Sequence, residues 1–110
     1  MRKYHHVGIP TNIAREGEYY LEEFGVHVCS YDRNPYGIEW MRYDSDSPVH
    51  ELIRSTPHVA FEVDDLEAEL ENKEILVEPN SPSAGVTVAF IVEDGAPIEF
   101  LQFDGDRKID

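Results

Sequence analysis

The chain has 110 residues, the size of one compact domain, and its 41% of apolar residues are enough to build a packed core. Acidic residues outnumber basic ones by 23 to 9, so a formal charge of −14 argues against nucleic acid or anionic lipid as partners. Cys29 is the single cysteine and cannot form an internal disulfide. The apolar runs are too short to span a bilayer and no signal-peptide pattern opens the chain, so we expect a cytoplasmic protein.

The first half predicts a strand, a helix and two further strands. Residues 4–10 are rich in β-branched side chains and end at Pro10, which is typical of a short strand. Thr11 or Asn12 can cap a helix that stops at Gly25, because apolar residues recur at helical spacing in between, namely Ile13, Tyr20, Leu21 and Phe24. Two extended stretches follow at 26–32 and 36–43, separated by a turn-prone Arg-Asn-Pro.

The second half predicts a strand, a helix and three strands. Residues 58–63 alternate in polarity, and Asp64 with Glu67 resembles a capping box before the apolar pair Leu66 and Leu70. Three strands are expected after this short helix, at 74–78, 86–92 and 97–103, with turns at 79–82 and 93–95.

The two halves repeat each other. HHVGIPT at 5–11 matches PHVAFEV at 57–63, and GIEWMRYD at 37–44 matches PIEFLQFD at 97–104. His6 therefore aligns with His58 at an offset of 52, and Glu39 aligns with Glu99 at an offset of 60. We expect one domain made of two modules, about 1–56 and 57–110, with one strand of the first module missing or merged.

The matched histidines and glutamates are candidate metal ligands. Side chains alternate between the faces of a strand, so the wholly apolar faces should pack under the helices and the His- and Glu-bearing faces should line a concavity. Two imidazoles and two carboxylates suit zinc, nickel, cobalt, manganese or ferrous iron. Each residue alone is more simply a core histidine or a solvated glutamate, but two matched pairs favour the metal, since buried uncompensated carboxylates are costly.

Several other side chains belong to the same hypothesis or compete with it. Four residues share the inward faces and are expected to form the walls of a substrate pocket: Met41, Tyr43, Leu101 and Phe103. His5 should point away from His6, and His50 in the connector at 45–56 is expected in solvent. The arginines at 15, 33, 42 and 54 could bind an anionic substrate, although scattered surface arginines are the commoner interpretation.

Three stretches, HHVGIPT at 5–11, PHVAFEVDD at 57–65 and DGAPIEFLQF at 94–103, resemble the vicinal oxygen chelate superfamily. This superfamily includes glyoxalase I, bleomycin- and fosfomycin-resistance proteins, methylmalonyl-CoA epimerase and extradiol dioxygenases. The resemblance implies an α+β fold in which two βαβββ-type modules, the first shortened, form a cupped mixed sheet around a divalent metal. By position, the implied ligands are His6, Glu39, His58 and Glu99.

The resemblance also implies a class of chemistry. A second glutamate in the first module is similar to glyoxalase I and related isomerases, so Glu39 and Glu99 favour proton transfer on a small oxygenated substrate, with Glu99 in the place of the base. Such an enzyme would be an isomerase, an epimerase or a glyoxalase-type lyase. A binding module without catalysis and, less favoured, a ferrous dioxygenase remain alternatives, and the modules could exchange across a homodimer.

Overall fold

The computed structural model describes residues 2–104 and contains eight strands and two short helices within them. The strands are β1 Lys3–Pro10, β2 Tyr19–Leu21, β3 Val26–Cys29, β4 Ile38–Tyr43, β5 His58–Glu62, β6 Glu74–Ser83, β7 Val86–Glu93 and β8 Ala96–Phe103. The helices are α1 Glu51–Ser55 and α2 Leu66–Leu70, and a 3-10 turn covers Tyr31–Arg33. Neither helix has the length and apolar character needed to cross a bilayer.

The strands form a mixed sheet in the order β2-β3-β4-β1-β5-β8-β7-β6, which confirms the α+β class. Within each module the first and fourth strands pair in parallel, and the remaining pairs are antiparallel. The registers agree with the internal repeat, because Gly8 pairs with Glu39 and the matched Ala60 pairs with Glu99.

The chain divides into two compact units, one made of the described residues of Met1–His5 and Val59–Asp110, and the other of His6–His58. In the unit that contains the second module, apolar and polar residues alternate between the strand faces as expected. Leu66 of α2 and the sheet face beneath it form a buried core with Val63, Ala89, Ile91 and Phe100, and Phe61, Ile98 and Leu70 of α2 pack against this core. A separate core contains Ala60, Val86, Val88, Leu101 and Phe103.

The helix expected between Thr11 and Gly25 is wrong. Residues 11–18 form an irregular loop, here called the 11–18 loop, and Tyr20 and Leu21 lie in β2. Gly17 adopts a positive φ of 89°, which interrupts a helix, and Ile13 is 64% exposed, so the segment lacks a core-facing apolar stripe. Instead, the Arg15 guanidinium lies 3.9 Å from the centre of the Trp40 ring.

The expected loss of a strand from the first module is also wrong, since each module has four strands. The stretch from β1 to β3 has 15 residues, at 11–25, whereas the stretch from β5 to β7 has 23, at 63–85. The eight-residue difference comes from the missing helix and from β2, which has 3 residues against the 10 of β6. β6 also continues through 79–82, where a turn was expected.

Candidate metal centre

His6 and Glu39 are brought together by the parallel pairing of β1 and β4. The amide of Val7 donates to the carbonyl of Gly37 at 2.9 Å, which joins β1 to the start of β4. The Asn34 side chain accepts the amides of Tyr36 and Ile38 and so orders the turn that leads into β4. Glu39 then lies next to β1, and its Oε1 is 3.2 Å from Nε2 of His6. Two ligands of one ion, each about 2.1 Å from the metal, are separated by a similar distance.

The His58 ring packs against the backbone of β1 at Gly8. The rings of His6 and His58 are 5.6 Å apart in an edge-to-face arrangement, and His58 is 3% exposed. A Cβ atom built on Gly8 would be 2.3 Å from Cε1 of His58, so only glycine leaves room for this imidazole. The space left at Gly8, here called the Gly8 cradle, is therefore required for His58 to lie where it does.

Tyr31 is a neighbour of His6 that the sequence did not reveal. Its ring stacks on the His6 ring at 5.7 Å with an interplanar angle of 22°. Tyr31 lies in the 3-10 turn before β4 and has no counterpart in the matched stretches of the repeat. Only the three-dimensional contact identifies it.

Glu99 lies in the middle of β8, between its neighbours Ala60 on β5 and Phe90 on β7, and is 9% exposed. His6, His58 and Glu99 are all buried, and as a group they could hold a metal ion. Imidazole nitrogens with a carboxylate oxygen, and no thiolate, suit a borderline divalent metal such as zinc or ferrous iron. This donor set fits the cofactor that the sequence predicts.

Of the residues expected to form the pocket walls, Tyr43 and Phe103 end β4 and β8, and Met41 and Leu101 lie two residues earlier on the same strands. The hydroxyl of Tyr43 donates to the sulfur of Met41 at 3.6 Å, and both side chains are half-buried. Leu101 is buried in the core of its own unit, where Phe103 packs against it. Their role around a substrate stays a prediction.

The three other histidines have separate surroundings. The His5 ring lies 5.9 Å from Phe103, and His27 lies 3.7 Å from the Asp44 carboxylate. His50 is exposed, as expected, and its Nδ1 accepts the amide of Leu52 at 3.0 Å, which caps α1.

Two of the pKa shifts in the His6–His58 unit concern the surroundings of Glu39 and the 11–18 loop. Partial burial raises the pKa of Tyr19, and the nearby charge of Glu39 raises this pKa further, so the phenol stays protonated beside the carboxylate. The hydrogen bond from Arg42 lowers the pKa of Glu18 to about 2, against the opposing effect of its desolvation. The Arg42–Glu18 pair spans 2.7 Å and ties the 11–18 loop to β4.

Comparisons with known proteins agree with this architecture. A hypothetical protein from Bacillus halodurans C-125 superimposes with a TM-score of 0.70 and 20% identity, over 94% of this chain and 95% of that chain. Methylmalonyl-CoA epimerase from Mycobacterium tuberculosis superimposes with a TM-score of 0.64 and 17% identity, over 98% of this chain and 92% of that chain. No family model matches the chain, and no curated protein is significantly similar to it in sequence. At these identities the comparisons establish the fold alone.

Proposed function

We propose that this chain is a metal-dependent isomerase or epimerase, or a glyoxalase-type lyase, that moves a proton on a small substrate with adjacent oxygens. The proposal assigns His6, Glu39, His58 and Glu99 to one divalent metal and Glu99 to the proton transfer. The fold that the chain shares with methylmalonyl-CoA epimerase supports the isomerase class.

The buried His-His-Glu group is the observation that carries this proposal. Two imidazole nitrogens and a carboxylate oxygen that lie close together in a buried place form a donor set that a divalent cation stabilises. The 3.2 Å contact between His6 and Glu39 adds a second carboxylate beside the first histidine. The Gly8 cradle leaves the space that the His58 imidazole occupies.

The chemistry follows from the donors. A bound divalent ion would supply Lewis acidity, which polarises a substrate carbonyl and makes the neighbouring carbon-bound proton easier to remove. Glu99 is the carboxylate that we assign to accept that proton and to return it, as a general base and acid. Glu99 is 9% exposed, and both Ala60, its neighbour on β5, and Leu101, two residues along β8, belong to a buried apolar core.

Solvent deuterium exchange tests the proposal with a matched pair of variants. Wild-type protein, saturated with zinc or manganese, should exchange the acidic carbon-bound proton of at least one compound from a panel of hydroxy-keto acids and acyl thioesters. Glu99→Gln should keep the fold and lose nearly all exchange, since an amide cannot accept the proton. Glu39→Gln should mainly bind metal more weakly, so excess metal should restore part of its exchange.

Proton NMR of the substrate signal measures the exchange directly. Full exchange by Glu99→Gln would refute the role of Glu99 as the base. Metal binding without exchange or turnover of any panel compound would instead favour a binding module, and oxygen consumption during turnover would favour a dioxygenase.

A further inference from the structure

An open depression of about 340 Å³ lies at the carboxyl ends of β1 and β4. Its lining consists of the last residues of these strands, the residues that follow them, and one side chain from α1: Pro10, Thr11, Asn12, Tyr43, Asp44, Ser45 and Arg54. Since β1 and β4 are parallel, their carboxyl ends lie side by side and form a common floor.

Two lining residues of the depression, Pro10 and Tyr43, belong to the strand faces that carry His6 and Glu39. Pro10 lies four residues after His6 on β1, and Tyr43 lies four residues after Glu39 on β4, so each pair shares a face. Four residues of strand correspond to about 13 Å. A substrate with oxygens at His6 and Glu39 therefore needs an extension of about this length to reach the depression.

Arg54 gives the depression a positive group. Its Nε donates to the carbonyl of Val49 at 2.8 Å, which orients the guanidinium, and no other partner of this side chain occurs within residues 2–104. The remaining guanidinium nitrogens are donors in a fixed fork that matches a carboxylate or phosphate. Asn12, Thr11 and Ser45 add neutral polar side chains around it.

Asp44 is the negative group in the same lining, and its carboxylate is engaged elsewhere. One oxygen accepts the Tyr20 hydroxyl at 2.5 Å, and the other lies 3.7 Å from Nε2 of His27. These contacts direct the carboxylate toward Tyr20 and His27 and leave Arg54 as the charged group available to a ligand.

We propose that this depression binds an anionic group, a carboxylate or a phosphate, at the far end of the substrate, with Arg54 as the residue that recognises it. The proposal rests on the proposed function for the reacting end of the substrate. It names the substrate class as an oxygenated chelator that carries an anionic group about 13 Å from its chelating oxygens.

The first experiment tests the anion site without any metal chemistry. Inorganic sulfate is titrated into ¹⁵N-labelled protein, both metal-free and zinc-loaded, and the amides of Thr11, Asn12 and Ser45 are followed by NMR. Sulfate should shift these signals in both forms. Arg54→Gln should weaken this binding by about 10-fold or more, whereas the control Arg33→Gln, an exposed arginine of the same unit, should not change it.

The second experiment tests the link to the metal centre. Alkyl hydroxamic acids of increasing length, with a terminal carboxylate or a terminal methyl group, are bound to zinc-loaded protein by calorimetry. Affinity of the carboxylates should peak when the spacer brings the two ends about 13 Å apart, and Arg54→Gln should remove this peak without weakening the methyl-ended series.

The outcomes separate the two proposals. If sulfate does not shift these amide signals, or if Arg54→Gln and Arg33→Gln weaken sulfate binding equally, the proposed anion site is wrong. If the carboxylate-ended and methyl-ended hydroxamates bind with equal affinity at every length, the anion site does not bind the far end of the substrate. Failure of all hydroxamates to bind contradicts the proposed metal function, while the sulfate titration still decides the anion site.

Discussion

His58 lies against the backbone of β1 because Gly8 lacks a side chain at the point of closest approach. The matched residue in the second module is Ala60, which is fully buried, so both modules place a small residue two positions after the histidine. The matched stretches His-Val-Gly and His-Val-Ala of the repeat thus indicate that a small residue is needed at this position. The sequence does not indicate that the His58 ring is the group that occupies the space.

Gly8→Ala should displace His58 and weaken metal binding by about 10-fold or more, because the new Cβ would overlap the imidazole at 2.3 Å from Cε1. Calorimetric titration with zinc measures the change, and circular dichroism shows that the fold is kept. Ile9→Ala, on the opposite face of the same strand, is the control and should bind zinc like wild type. Unchanged zinc affinity in Gly8→Ala would contradict the role of the cradle.

At the scale of the elements, each module covers the equivalent face of its own strands in a different way. Leu66 and Leu70 of α2 pack on apolar strand residues in the second module. In the first module the 11–18 loop covers Trp40 with the charged side chain of Arg15 and pairs Glu18 with Arg42. Apolar burial stabilises the first arrangement, and charge-assisted contacts stabilise the second.

This difference predicts that truncating an apolar side chain lowers the free energy of unfolding by different amounts in the two modules. Leu66→Ala removes a side chain that is 5% exposed and should lower the free energy of unfolding by about 2–4 kcal/mol. Ile13→Ala removes one that is 64% exposed and should change it by less than about 0.5 kcal/mol. Urea denaturation measures both. Comparable losses from the two variants would show that the 11–18 loop packs as a helix would.

The Glu18–Arg42 pair predicts that the stability of the folded chain falls at low pH. The pKa of Glu18 falls from 4.5 to about 2 in the folded chain, so its ionised form contributes stability above about pH 4.5. This contribution is lost as the pH falls from about 4.5 toward 2. Glu18→Gln should therefore be less stable than wild type near neutral pH and should approach it near pH 2.

Urea midpoints between about pH 2 and 7 measure this difference. Glu16→Gln, an exposed residue of the same loop, serves as the control and should follow wild type throughout. A stability difference for Glu18→Gln that is the same at every pH would exclude the ion pair as its cause.

At the scale of the whole molecule, charge limits the partners. The formal charge of −14 disfavours nucleic acid and anionic lipid, and it also lowers the affinity for anionic substrates unless a local cation such as Arg54 offsets it. A cytoplasmic location, the module boundaries near residue 56 and pairing with a second copy stay predictions from the sequence.

The repeat explains why much of this fold could be predicted from the sequence. The alignment of His6 with His58 and of Glu39 with Glu99 predicted two similar modules, and the structure shows the repeat in two equivalent parallel strand pairs. The helix in the first module was predicted wrongly because Tyr20 and Leu21 have helical spacing to Phe24 but pair with β3 instead. The stacking of Tyr31 on His6 and the depression at Arg54 depend on contacts between distant segments, which periodicity does not encode.

Metal content tests the central claim most directly. Protein purified without chelators, reconstituted with a divalent metal and desalted, should contain about one ion per chain by elemental analysis. His6→Ala and His58→Ala should lose most of this metal, whereas His5→Ala and His27→Ala should retain it, because only the first two belong to the buried ligand group. Wild-type protein without metal, or equal losses in all four variants, would contradict the account.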